Sequence, residues 1–291
     1  MRLLVLIRYF VEFFLFKIVF TILNFLFRKI SKNIFSNLFM FLGRMSKYNK
    51  IAKKNGKIVF SEFSEKEITK IINSSWKNLG KNLYELNSLK KLIDDKNAIK
   101  ILGLEKLEKI KKENSQVIFF SIHSGNWEIC VPILDKNGFN IGAIYRHINN
   151  IFFDKYIFKK RTGALKTNNS FYTPKGKVSA KEILEGVINN KNIFLLVDQK
   201  DSAGTFINFF GKKVKTQTGF LKIARKYNLK IIPMKNIRLP DNTLQITFEE
   251  PLVHSNDNIS DDKKMLEINA IVERWIRENP ENWFWQHKRF N

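Results

Sequence analysis

Gln116-Val117-Ile118-Phe119-Phe120-Ser121-Ile122-His123-Ser124-Gly125-Asn126-Trp127-Glu128 is the stretch on which the fold turns. Its first half is a short apolar run rich in β-branched and aromatic residues, preceded by polar Glu113-Asn114-Ser115, and it reads as a buried strand. The strand delivers a histidine to a small-residue turn, Ser124-Gly125. Asn126 is then a good helix N-cap and opens the apolar-periodic segment Trp127 to Leu134. On one continuous helix His123 and Glu128 would lie roughly 140° apart and would not meet, at about 100° per residue. A turn between strand and helix instead puts Glu128 in the first helical turn, where it can reach back to the imidazole. A carboxylate in that position holds one ring nitrogen protonated and leaves the other as a base. The bland alternative is a satisfied loop histidine, with Glu128 merely complementing the helix dipole.

Working outward, Asn140 to Tyr145 reads as the next strand and ends in Tyr145-Arg146-His147, and Asn192 to Val197 reads as a further buried strand ending in Asp198-Gln199. If these strands are parallel, His123, Arg146 and Asp198 converge at one sheet edge, where open α/β folds bind ligands. Ser64-Glu65-Lys66-Glu67 has capping-box spacing and opens a long helical pattern through Leu86. Helices are also expected over Leu104 to Lys112, Ile151 to Lys160, Lys177 to Asn189, the segment ending at Tyr227, and Asp261 to Glu278. Lys230 to Ile237 and Leu244 to Phe248 read as two more strands, and Asp201 to Gly211 as a Gly-bounded loop with exposed aromatics. The expected class is α/β, a mixed and largely parallel sheet flanked by helices.

At 291 residues the chain can bury a full core. Its net charge of +24 favours an anionic partner, although abundant Lys, Asn, Ile and Phe also fit an AT-rich coding bias. Cys130 is the single cysteine, so there is no disulfide framework and no CxxC metal pair; no metal site and no cofactor are expected. GxxxxGK[ST], GxGxxG and GxSxG are all absent, which removes the P-loop, the dinucleotide fingerprint and the hydrolase elbow. No nucleic-acid-binding module is recognisable either, and nucleic acid is not an expected partner.

Leu3 to Phe27 is almost wholly apolar, interrupted by Arg8, Glu12 and Lys17, and is long enough for a membrane-anchor helix that either spans or lies in the interface. Arg8 and Glu12 are spaced to pair. Residues 28–57 carry nine basic and no acidic side chains, which by the positive-inside rule makes this flank cytoplasmic. Ile34 to Met45 is a second apolar stretch, too short to span, suited to lying on the membrane or packing on the anchor. The expected division is residues 1–57 as anchor and basic flank, and 58–291 as catalytic domain. The closing segment, from Pro280 to Phe290, alternates aromatic and basic residues and suits a covered edge or a headgroup contact.

Several blocks, in this order and spacing, resemble one family: His123-Ser124-Gly125-Asn126-Trp127-Glu128; Tyr145-Arg146 with Asn149, Asp154 and Arg161-x-Gly163; Asp198-Gln199 with Phe209-Phe210-Gly211 and Thr216-x-x-Gly219; and Trp283-x-Trp285-x-His287-x-Arg289. The chain is similar to the late acyltransferases of lipid A biosynthesis, the lauroyl and myristoyl transferases, over nearly its whole length. The resemblance implies a glycerolphosphate-acyltransferase-like fold with an N-terminal anchor helix. It implies an inner-membrane enzyme with a cytoplasmic catalytic domain, moving a fatty acyl group from acyl carrier protein as co-substrate to a hydroxyl of a lipid A precursor. Another phosphorylated lipid or glycolipid is the alternative acceptor. It assigns His123 as general base and Glu128 as its orienting partner. Arg161 is the preferred oxyanion donor, with Asn126 and turn amides as others. Asn126, Arg146, Asp198 and Gln199 are expected to bind substrate or hold a turn. His147 stands where the family commonly has proline, which points to a different loop there.

Overall fold

The computed structural model describes residues 3–24, 28–253 and 259–290. Three helices open the chain, α1 (Leu3–Asn24), α2 (Arg28–Met45) and α3 (Lys47–Val59). α4 (Glu65–Leu86) starts on the capping box read from the spacing: the Glu67 amide donates to Ser64 Oγ and the Ser64 amide to Glu67. α5 (Leu89–Asp94), β1 (Ile99–Leu102) and α6 (Leu104–Lys112) lead to β2 (Val117–Ser121). A 3-10 turn, Trp127–Ile129, runs into α7 (Cys130–Lys136), followed by β3 (Ile141–Tyr145), α8 (Ile151–Thr162), β4 (Phe171–Pro174), α9 (Lys177–Ile188) and β5 (Asn192–Leu196). β6 (Thr205–Phe209), β7 (Lys212–Thr216), α10 (Gly219–Lys226), β8 (Lys230–Arg238), β9 (Leu244–Phe248) and α11 (Asp261–Glu278) complete the order.

Seven strands form one sheet in the order β1-β9-β8-β2-β5-β3-β4. Five of them, β8, β2, β5, β3 and β4, run parallel, while β9 is antiparallel to β8 and carries β1 parallel to itself. This is the mixed, largely parallel sheet expected. β2 lies at its centre, and all five of its residues are buried because helices cover both faces. Ile118 and Phe120 join one core with Trp76, Trp275 and Trp285, and Val117 and Phe119 join the other with Leu107, Leu134 and Phe248.

Short β1 and β4 were not read from the sequence, and the expected loop over Asp201 to Gly211 is corrected. It contains the first strand of an antiparallel hairpin, β6–β7, that turns on Phe210 and Gly211, both at positive φ (48° and 70°). Its aromatics are not generally exposed: Phe209 and Phe210 are buried against Trp283 and Phe290, and Phe206 faces solvent.

Of the two readings of the anchor, spanning and interfacial, the spanning one finds no support. Among the described residues no helix is long and apolar enough to cross a membrane. Arg8, Glu12 and Lys17 interrupt α1, and residues 25–27 of the expected segment lie outside the described residues. α1 lies along α8: Phe16 stacks on edge against Phe153 at 5.1 Å, Phe13 against Tyr156 at 5.8 Å, and Asn150 Nδ2 donates to the Tyr9 carbonyl at 2.9 Å. Arg8 and Glu12 form their pair at 3.4 Å, and the Lys17 ammonium sits 5.3 Å from the Tyr156 ring. α2 turns Phe35 and Phe39 inward and Ile34, Leu38, Phe41 and Leu42 outward. It crosses α4 so closely that a Cβ on Gly80 would lie 2.9 Å from the Ser36 Cα, and Ala52 and Val59 of α3 join the core beneath Trp285.

Candidate active site

The parallel register builds the site. Ser121 of β2 pairs with Leu196 of β5, so the residues two further along each chain, His123 and Asp198, come side by side. Asp198 Oδ1 accepts from the His123 main-chain amide at 3.1 Å and lies 2.8 Å from His123 Nδ1. Because a carboxylate only accepts, Nδ1 carries the proton and the Nε2 lone pair is free to act as a base. Gln199 Nε2 sits 3.2 Å from that lone pair and donates to it. Asp198 Oδ2 accepts from the Trp283 indole at 2.8 Å. Burial alone would push the Asp198 carboxyl up, but the adjacent His123 ring, His287 and the Trp283 donor hold it well below the usual carboxylate range.

Glu128 does not take the place assigned to it. Both of its oxygens face Arg161, with Nε to Oε2 at 2.6 Å and Nη2 to Oε1 at 2.7 Å, and Oε1 also accepts from Trp127 Nε1 at 3.1 Å. Such a forked, charge-assisted pair outcompetes a single bond to a neutral imidazole. The orienting carboxylate on His123 is therefore Asp198. Glu128 instead fixes Arg161, which reaches the site from the last turn of α8 and lies 5.8 Å from the Tyr145 ring.

His123, Glu128, Arg161, Arg146 and Gln199 line one cavity of about 310 Å³. Its inner wall is apolar, with Val131, Ala143, Phe194 and Leu196 joined by Tyr172. Burial keeps the Tyr172 phenol strongly raised, hence neutral. Asn126 and Asp198 are fully buried and stand behind the cavity rather than on its wall, so neither is placed to touch a substrate. Asn126 Oδ1 caps the Glu128 amide, as expected, and its Nδ2 donates to Glu85. His147 is exposed and bonds Asp154 at 2.6 Å, pinning the loop after β3. The Cys130 thiol is buried, which pushes its pKa up and leaves it inert. Among the described residues no group of three His, Cys, Asp or Glu side chains could hold a metal ion.

Two supports hold the turn, of which only the second has a mark in the sequence. The first is a buried network beneath the turn. Arg238 donates to Glu85 at 2.7 and 2.8 Å, to Asn78 at 2.7 Å and to Asn82 at 2.8 Å, while Asn78 and Asn82 both donate to the Gly125 carbonyl. Gly125 itself has φ +53°, and a Cβ there would lie 2.8 Å from the Ile237 backbone. The second is the carboxy-terminal segment. The Phe284 amide donates to the His123 carbonyl at 2.8 Å and the Gly125 amide to the Asn282 carbonyl at 3.2 Å. Trp283, Trp285 and Arg289 are fully buried, so the segment is a covered strap and its indoles are no headgroup contact. The only sequence signal for it was the Trp283-to-Arg289 block itself.

The bacterial lipid A biosynthesis acyltransferase family model matches residues 2–291. The chain is 22% identical over 251 residues to the lipid A biosynthesis lauroyltransferase of Escherichia coli strain K12, covering 84% of this chain and 80% of that protein. It is 22% identical over 258 residues to the palmitoleoyltransferase of the same organism, covering 82% and 78%, and shows the same figures against a lipid A biosynthesis acyltransferase of Shigella flexneri. Among solved structures, the 1-acyl-sn-glycerophosphate acyltransferase of Thermotoga maritima aligns with a TM-score of 0.41 at 15% identity, covering 89% of this chain and 100% of that one. With the match running from the second residue to the last, the chain belongs to the bacterial lipid A biosynthesis acyltransferases and is an acyltransferase.

Proposed function

We propose that this enzyme transfers a fatty acyl group from the thioester of acyl carrier protein to a hydroxyl of a lipid A precursor, with His123 as general base. The observation that carries the reading is the His123–Asp198 pair at 2.8 Å, whose ring lines a cavity that apolar side chains share, with Gln199 donating to the unprotonated Nε2. The acceptor hydroxyl displaces the Gln199 amide from Nε2, gives its proton to His123 and attacks the thioester carbon. Asp198 stabilises the imidazolium that forms, a general-base contribution of about 10²–10⁴-fold. Arg161, held by Glu128 through Nε and Nη2, has Nη1 outside that fork and is the donor for the tetrahedral oxyanion. Collapse expels the thiolate, which takes the proton back from His123. The acyl chain lies along Val131, Ala143, Phe194 and Leu196.

The membrane is the second half of the proposal. Leu4, Ile7, Phe10, Phe14, Leu15 and Ile22 of α1 and Ile34, Leu38, Phe41 and Leu42 of α2 are exposed, and together they suit insertion into one leaflet rather than a crossing. The basic flank then meets the anionic cytoplasmic surface of the inner membrane. The test is acyl transfer by the purified chain in detergent. Transfer from acyl carrier protein to a lipid A precursor that is lost in His123→Ala supports the reading; transfer only to a glycerol phosphate or another glycolipid acceptor favours the alternative substrate class.

A further inference from the structure

Beside the apolar cavity lies a second concavity of about 500 Å³, walled by Arg146, Lys175, Lys200, Ser202, His287 and Lys288 and separated from His123 by the Gln199 side chain. Among the described residues no carboxylate lines this hollow; Arg146, Lys175, Gln199 and Lys200 stand between it and the neighbouring cavity and line both, and Asp201 on the far side pairs with Lys175 at 3.3 Å. Four cationic side chains around one hollow form an anion site by charge alone. His287 adds a second, independent feature. Its Nδ1 donates to the Phe284 carbonyl at 3.0 Å, so Nε2 is a bare lone pair, and that atom is buried without a partner.

We propose that this concavity is a phosphate subsite: Arg146, Lys175 and Lys288 hold the phosphate of one of the two substrates, beside the His287 ring on the same wall. The inference rests on the acyl-transfer reading, because both substrates then carry phosphate, the donor on its pantetheine arm and the acceptor on its sugar. The apolar cavity takes the chain, His123 stands at the junction, and the cationic hollow takes the charged part of the molecule. Gln199, on both walls, links occupancy of the hollow to release of the base.

The experiment uses the full chain in detergent with an Arg146→Gln/Lys288→Gln variant, both positions being exposed. Inorganic phosphate is titrated against the histidine ring NMR signals of the native chain and the variant. A saturable shift at His287 that the variant loses is expected. Separately, kcat/KM is compared for acyl-phosphopantetheine against acyl-pantetheine, and for a phosphorylated against a dephosphorylated acceptor. For whichever substrate seats its phosphate here, the preference for the phosphorylated form falls about 10- to 100-fold in the variant, mostly through KM, as expected for lost charge-assisted contacts. No response at His287 to phosphate in the native chain, or equal loss for both forms of both substrates, overturns the subsite. A native chain that binds phosphate at His287 but transfers no acyl group keeps the subsite and refutes the acyl-transfer reading instead.

Discussion

Replacing Asp198 by Asn separates the two carboxylates that compete for the role of aiming the base. The native side chain accepts three N–H donors: the His123 amide at 3.1 Å, the His123 ring at 2.8 Å and the Trp283 indole at 2.8 Å. Asparagine offers one acceptor oxygen. If that oxygen faces His123, the new NH₂ opposes the indole N–H, leaving a buried donor unpaired at about 1–3 kcal/mol. If it faces Trp283, the NH₂ opposes the His123 amide and Nδ1 must become an acceptor, which moves the ring proton to Nε2 and removes the base. Both arrangements also lose the negative charge that stabilises the imidazolium. The expected fall in kcat is about 10³- to 10⁴-fold, or ~4–5.5 kcal/mol of barrier. Glu128→Gln, by contrast, breaks only the fork on Arg161 and leaves the Asp198–His123 pair intact, so its loss is smaller than that of Asp198→Asn. Single-turnover acyl transfer by variants shown to be folded reads both. An Asp198→Asn enzyme within about tenfold of native, beside a Glu128→Gln enzyme that loses more, would refute the assignment.

Other outcomes follow from the supports. Gly125→Ala forces a left-handed backbone on alanine and drives its Cβ to 2.8 Å from the Ile237 backbone, so thermal unfolding should show a loss of roughly 2–5 kcal/mol together with activity. Glu85→Gln strands the Arg238 charge in the interior and should cost about 3–5 kcal/mol by the same measurement, whereas Glu85→Gln with Arg238→Met should cost less than the two single changes added. Acid should destabilise the site in two windows. Burial depresses His287 to about 4, so between the unfolded value near 6.5 and about 4 the unfolded chain binds the extra proton and stability falls as pH drops; His287→Phe flattens that limb of a stability–pH curve. Asp198, whose folded value is lowered, contributes stability above the unfolded value near 3.8 that is lost as pH falls through the folded value, and Asp198→Asn removes that lower limb. Ala143→Leu fills the apolar wall and should shift the preferred donor to shorter acyl chains in a mixed-donor competition read by mass spectrometry.

What could be read in the chain, and what could not, follows from the range of each interaction. β2, β3, β5, β8 and β9 announce themselves by local apolar runs, and the Ser64 cap by four adjacent residues, because both signals are complete within a few positions. β1 and β4, at four residues each, carry too little pattern, and β6–β7 hides its hairpin because the turn uses Phe210, a residue that rarely accepts positive φ, in place of the Asn or Asp that would signal it. The Leu3 to Phe27 hydropathy leaves a span and an interfacial helix both open when the segment stands alone, and packing on α8 supplies Lys17 with the Tyr156 ring.

The proposed catalytic pair shows the limit most clearly. Five positions separate His123 from Glu128 and seventy-five separate it from Asp198, so local reading favours the nearer acid. Two facts reverse that choice, and both are long-range: the β2–β5 register that sets His123 beside Asp198, and the α8 end that brings Arg161 to Glu128. The strand-end convergence of His123, Arg146 and Asp198 already contained the first fact, since in a parallel sheet residues equally far past paired positions become neighbours. Glu128 loses the imidazole because a guanidinium fork offers it two charged bonds where a neutral ring offers one. Arg161 thereby ties α8, and through Phe153 and Tyr156 the apolar helix α1, to the wall of the cavity, so the surface proposed to meet the bilayer and the proposed oxyanion donor sit on one connected body.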